Sequence, residues 1–236
     1  KDRYKYLYKA YEIDPNDSRS YKDFLVIHEI ERNSVEFDVM AGKIIEANKL
    51  APGMLNWGYN LLAELDENAI VFSAGDNDTY ALWLIQSAFG FRKDVRVLNV
   101  HLFSFMPEYR EKCLKELKLV GFKSPAAEDS EAMVKCLNEM VRFSTDKNPV
   151  YVSGSANFYL DLITEKDSFY LTGLAYKYCK QSFDNVSVIR RNYENRYKLD
   201  YLDVQFTRHI SDEVAIHFDA LYLPSLIKLH RHYAVS

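Results

Sequence analysis

The sequence predicts an α/β fold: a small, mainly parallel sheet with helices on both faces, flanked by tetratricopeptide-like α-helical hairpins. Three observations predict it. Short apolar runs rich in β-branched residues, at 69–74, 95–100 and 149–153, alternate with segments of helical periodicity. The first run enters a polar Gly75-Asp76-Asn77-Asp78-Thr79 turn and then a helical pattern. Open α/β sheets build polar sites in that order, at the carboxyl end of a strand. Near the start, Lys9-Ala10-Tyr11-Glu12-Ile13-Asp14-Pro15 is echoed by Glu46-Ala47-Asn48-Lys49-Leu50-Ala51-Pro52 at a spacing of 37 residues.

Each half of that echo reads as the last turn of a helix stopped by a proline, which lacks an N–H and pushes the preceding residue out of the α region. Between them, residues 18–32 predict a helix that buries Tyr21, Phe24, Leu25, His28 and Ile30. Residues 34–48 predict a second, with Phe37, Met40, Ala41, Ile44 and Ile45 along one side. This helix pair resembles the tetratricopeptide repeat, although its period is longer than the usual 34 or so residues. Ala10 and Ala47 are expected at close helix contacts.

In the middle, helices are expected over 79–89, 107–118 and 130–144, which makes 69–74, 95–100 and 149–153 adjacent parallel strands with crossover connections. Residues 170–178 form a fourth strand candidate, kinked at Gly173. Asp184 is placed to cap a helix running to Tyr201, and 212–236 reads as further helix broken at Pro224. Three regions result: helices over 1–64, an α/β domain over 65–205, and C-terminal helices over 206–236.

Composition narrows the function. The chain has 236 residues, 48% of them hydrophobic and 27% charged, which suits a folded core. A net charge of -4 argues against a general nucleic-acid binder. Cys113, Cys136 and Cys179 form no Cys-x-x-Cys pair, so neither a zinc ribbon nor a disulfide framework is indicated. No membrane-spanning segment and no signal peptide stand out. The chain starts at Lys1 rather than Met, from which removal of an N-terminal segment is expected. Neither Gly-x-Gly-x-x-Gly nor a Walker lysine occurs, so no cofactor is predicted.

The strand ends are polar together. The first supplies Asp76, Asn77, Asp78 and Thr79, the second Asn99 and His101, and the third Ser153, Ser155 and Asn157 around Gly154. Parallel neighbours would gather all of these at one sheet edge as ligand-binding candidates. The Asp76-x-Asp78 spacing makes the two carboxylates a candidate site for a divalent cation such as Mg²⁺, Mn²⁺ or Ca²⁺. Capping competes with that reading: Asp78 suits the N-cap of a helix starting at Thr79, and Asp76 or Asn77 suits the turn's own donors.

The run Gly75-Asp76-Asn77-Asp78-Thr79-Tyr80, then Leu82-Trp83, Gln86, Gly90, Arg92, Asp94-Val95 and Asn99, resembles a block in the soluble C-terminal region of bacterial membrane proteins of the protein O-mannosyltransferase-like family. Leu171-Thr172-Gly173-Leu174-Ala175-Tyr176 resembles a second block, and together they cover residues 65–200 or so. The resemblance implies this fold beside tetratricopeptide-like helices, and a place in the cell envelope. Glycosyl transfer in that family is expected in the membrane-embedded part, so the resemblance assigns no catalytic residue here. The expectation is a noncatalytic accessory or binding module for a peptide, protein or glycan. Its rivals are a metal-assisted hydrolase or transferase of a sugar or phosphate-bearing substrate, with Asp76, Asp78 and His101 at its centre, and a pure scaffold.

Overall fold

After a first short helix, the chain builds a helical hairpin because it is forced to reverse between the two arms. The computed structural model describes residues 4–119, 121–122, 130–145, 147–203 and 209–234. In it, α1 spans Lys5–Ile13, α2 Tyr21–Glu31, α3 Ser34–Glu46 and α4 Pro52–Glu64. Arg32 adopts the left-handed conformation (φ 59°) and ends α2; Asn33 then caps α3 by accepting the Glu36 N–H. Of the predicted α2 positions, Tyr21, Phe24, Leu25 and His28 are buried, and Ile27 takes the place expected of Ile30.

Two expectations for the echo are corrected. Ala10 is exposed and Ala47 only half-buried, so neither marks a tight helix contact. Pro52 does not stop α3, which ends at Glu46. It opens α4, where the first turn needs no N–H from it. The close approach lies instead at Gly58, where a Cβ would sit 3.0 Å from the main chain of Ala81 in the following helix.

The sheet contains β1 (Ile70–Ser73), β2 (Arg96–Asn99), β3 (Val150–Ser153), β4 (Phe169–Leu171) and β5 (Ala175–Tyr178), in the order β2-β1-β3-β5-β4. The first three are parallel, as predicted. The single strand expected over 170–178 is a hairpin of β4 and β5, which makes the sheet mixed. Gly173 explains the difference. It turns at φ +154°, a conformation that favours glycine.

The remaining helices are α5 (Asp76–Phe89), α6 (Val100–Phe105), α7 (Pro107–Glu116), α8 (Ser130–Arg142), α9 (Asn185–Asn195), α10 (Asp200–Asp203), α11 (Asp212–Asp219) and α12 (Leu223–Ala234). Asp184 caps α9 by accepting the Ser187 N–H at 3.1 Å. α9 stops at Asn195 rather than Tyr201, and beyond it Lys198 donates its N–H to Asn60 Oδ1 at 2.7 Å. Ala220–Tyr222 makes the break between α11 and α12, and Pro224 lies in the first turn of α12.

Alternation along the strands feeds two cores. Val71, Val97 and Tyr151 join the side chains of α2 to α5 and α11 on one face. Ile70, Phe72, Leu98, Val150 and Val152 join α6, α7 and α8 on the other. All of β1 is buried, as a central parallel strand requires.

One buried carboxylate ties the helices to the hairpin. Glu64, at the end of α4, accepts hydrogen bonds from Thr172 Oγ1 at 3.1 Å, Leu174 N–H at 2.8 Å, Ala175 N–H at 2.9 Å and the Tyr197 hydroxyl. A Cβ at Gly173 would collide with this carboxylate and with the Tyr197 hydroxyl. Burial lifts the Glu64 carboxyl to about 7, against the opposing pull of its four donors.

A carboxyl whose pKa is raised by folding binds a proton more readily when folded, so its contribution to stability falls as pH rises. Between pH 4.5, its ordinary value, and about 7, the loss attributable to Glu64 is about 3 kcal/mol. Urea unfolding across that range should show a falling stability in the wild type and a flatter profile in Glu64→Gln. Parallel profiles would show that Glu64 does not titrate there.

Candidate functional site at the sheet's carboxyl edge

The chain leaves β1 for β2 on one side and leaves β3 for the other. The crevice between the carboxyl ends of β1 and β3 is therefore the switch point at which open α/β sheets bind ligands. Here that crevice is bridged from within. Asp78 Oδ2 accepts the Ser155 hydroxyl at 2.6 Å and the Ala74 N–H at 2.8 Å. Its Oδ1 accepts the N–H groups of Gly75 at 2.8 Å and Thr79 at 2.9 Å. One carboxylate thus joins the end of β1, the first turn of α5 and the segment after β3.

This changes how the turn is capped. α5 begins at Asp76, three residues before the expected Thr79, and Gly75 is its N-cap. Asp78 is the third residue of the helix and reaches back to the main chain that precedes it, as the acid of a capping box does. Asp76 and Asp78 therefore occupy a helical first turn rather than an extended loop. Asp76 is exposed and Asp78 buried. Burial raises the Asp78 carboxyl, and its hydrogen bonds oppose that rise.

The other predicted residues divide between this bridge and a neighbouring cavity. Ser153 is buried; its Oγ lies 2.8 Å from Ser155 Oγ and accepts the Ser155 N–H at 3.3 Å, starting the 3-10 segment Gly154–Leu162. Gly154 comes close to the main chain of Leu174: its N–H donates to Leu174 O at 2.7 Å, where a side chain would clash. Asn157 lies exposed on the same segment, and Asn77 is half-buried.

Asp76, Thr79, Asn99 and His101 are brought together around a cavity of about 410 Å³ at the ends of β1 and β2. Thr79 and Asn99 are its fixed wall. Thr79 Oγ1 donates to Gly75 O at 2.5 Å and lies 2.6 Å from Ser73 Oγ. Asn99 Nδ2 donates to Thr79 Oγ1 at 3.0 Å, while its Oδ1 caps α6 by accepting the N–H groups of His101 and Leu102. Asp76 and His101 are exposed at the rim, and His101 Nε2 lies 3.0 Å from the Tyr159 hydroxyl.

Four further residues shape this place without being among the predicted site residues. Tyr80 and Trp83 line the cavity, and Lys22 of α2 sits with its Nζ 5.6 Å over the Tyr80 ring. Burial and Asp76 raise the Tyr80 phenol. Tyr159 carries an aromatic row outward: Phe105 and His101 stack with centroids 6.1 Å apart, His101 meets Tyr159 edge-on at 6.0 Å, and Phe158 lies 4.1 Å from Tyr159. Tyr80 and Trp83 follow the acidic turn at helical spacing, and that periodicity is the signal that would have found them. Tyr159 has no such signal, because a 3-10 segment sets its direction.

The first resemblance block largely does structural work. Gln86 Nε2 donates to the carbonyls of Arg92 and Val95, at 2.8 and 2.7 Å. Arg92 donates to the carbonyls of Leu62, Leu65 and Asp66 at the end of α4, and Asp94 accepts the Asn68 N–H.

Comparison with known proteins agrees with that block. A family model described as TMEM260-associated domain 2 matches residues 54–115. That family is of the TMEM260, O-mannosyltransferase-like type, and the match covers a small part of this chain. The matched segment includes Glu64, the Asp78 turn and Asn99, and stops before Ser153, Ser155 and the β4–β5 turn. No curated protein and no solved structure matches the chain. Among the described residues, no helix is long and apolar enough to cross a membrane.

Removing the Asp78 carboxylate would leave two buried N–H groups and the Ser155 hydroxyl without their acceptor. Asp78→Ala should therefore cost about 3 kcal/mol in urea unfolding, more than a surface helix cap does. A loss below about 1 kcal/mol would contradict the bridging role.

Proposed function

We propose that the chain is a noncatalytic binding module that holds a glycan-bearing ligand at the carboxyl edge of its sheet, as an accessory part of a cell-envelope glycosylation system. The observation that carries this reading is the aromatic row Phe105–His101–Tyr159–Phe158, which runs beside a cavity rimmed by Asp76. Sugar rings offer C–H faces to aromatic side chains and hydroxyls to carboxylates and imidazoles. The exposed rings of His101 and Phe158, braced by the buried Tyr159 and lying next to an exposed carboxylate, supply both kinds of contact.

The division of the two aspartates supports binding over catalysis. A hydrolase or transferase needs an acid or base free to meet its substrate. Asp78 already accepts four protein donors, which leaves Asp76, exposed at the cavity rim, as the one of the two acids open to a ligand. The envelope setting rests on the likeness to the O-mannosyltransferase-like type of family, which the partial match at 54–115 supports.

The test is a titration with methyl α-mannoside and with a mannosylated serine peptide, read by the amide shifts of Asp76, Tyr80 and His101. Saturable shifts are expected, with affinity reduced about tenfold or more by Asp76→Ala or His101→Ala. The reading also predicts that Mg²⁺, Mn²⁺ and Ca²⁺ leave the melting temperature unchanged. Absence of sugar binding, joined to a cation-dependent rise in melting temperature, would favour the metal-assisted enzyme instead.

A further inference from the structure

A second cavity, of about 380 Å³, opens along the outer edge of β2. Phe37 and Asp38 of α3 form one wall, and Trp83 and Gln86 of α5 line another. A third is the paired fork of Arg32 and Glu116, with Nε–Oε1 at 2.9 Å and Nη2–Oε2 at 2.7 Å. β2 is an end strand of the sheet, so one side of its main chain has no neighbouring strand.

Register shows which groups face that side. Arg96 donates its N–H to Ala69 O at 2.7 Å, so Arg96 and Leu98 turn their main-chain groups toward β1, and Val95 and Val97 turn theirs outward. Val95 is already served: its N–H donates to Arg92 O at 3.1 Å, and its carbonyl accepts Gln86 Nε2 at 2.7 Å. The N–H and carbonyl of Val97 have no hydrogen-bond partner among the described residues, and Val97 lines the cavity.

We propose that this cavity takes an extended peptide segment, which adds to β2 as a short antiparallel strand and exchanges both main-chain hydrogen bonds with Val97. In an antiparallel pair, a single facing residue satisfies the N–H and the carbonyl of its partner together. The side-chain amide of Gln86 already stands in for such a strand at Val95. The walls favour main-chain recognition over recognition of charge. Arg32 is spent on Glu29 and Glu116, Arg96 lies 3.6 Å from Glu116, and Lys93 lies 4.0 Å from Asp38. The half-buried Phe37, edge-on to Trp83 at 5.7 Å, adds an apolar surface for a neighbouring side chain.

The probe is acetyl-Thr-Val-Thr-amide, compared with the same peptide N-methylated at its valine and so lacking the central donor. On isotope-labelled protein, the unmodified peptide should shift the Val97 amide saturably and slow its hydrogen exchange about tenfold or more. The N-methylated peptide should bind at least about tenfold more weakly. Ser34→Trp, at an exposed position on the cavity's mouth, should abolish the shift. Three results would overturn the proposal: no saturable shift, equal binding of both peptides, or a free protein in which the Val97 amide exchanges as slowly as that of Leu98.

Discussion

The carboxylate of Asp78 is the constraint on which the sheet's carboxyl edge depends. It gathers the main chain at the end of β1, the first turn of α5 and the hydroxyl of Ser155 beyond β3. A buried charge is tolerated only when its oxygens are supplied with donors, and here both oxygens are. The arrangement closes the crevice that open α/β folds commonly leave for a ligand. It also moves the accessible polar surface sideways, to the ends of β1 and β2, where Asp76 and His101 meet the aromatic row. Two acids only two residues apart thus take different places, Asp78 buried in the bridge and Asp76 exposed at the rim.

Glu64 repeats the device at a second place. It closes the β4–β5 turn over α4 and so fastens the first helices to the far strands of the sheet. Thr172, Gly173, Leu174 and Ala175 belong to one of the sequence blocks that resemble a known family, and each has a stated task around this carboxylate. Thr172, Leu174 and Ala175 donate, and Gly173 leaves room. Gln86, Arg92, Asp94 and Asn99 do comparable work in the other block. The family-like motifs therefore read chiefly as instructions for closing polar main chain inside the fold.

The parallel strands were legible because each is a short apolar run bounded by helical periodicity, and the strand-end polar residues followed from that placement. The helix start at Asp76 was not legible. Asp78 looks like an N-cap from sequence, and only its depth beneath Ser155 shows it reaching backward as the third helical residue. From sequence the β4–β5 hairpin reads as one kinked strand, because a lone glycine signals a bulge as readily as a reversal. The bounds of α4 within the expected helical region are hidden because Gly53 and Gly58 weaken its helical pattern; Gly58 lets α4 approach Ala81. Glu64 gave no local signal, since its partners lie more than a hundred residues away in sequence.

The central claim is that Asp78 and Ser155 are energetically coupled across the switch point, so that this acid holds the sheet's carboxyl edge together. A double-mutant cycle on Asp78→Ala and Ser155→Ala, measured by urea unfolding, tests it most directly. The account predicts a coupling of about 1.5–3 kcal/mol, the range for a hydrogen bond to a charged group. Additive effects, with each single variant near the wild type in stability, would contradict it.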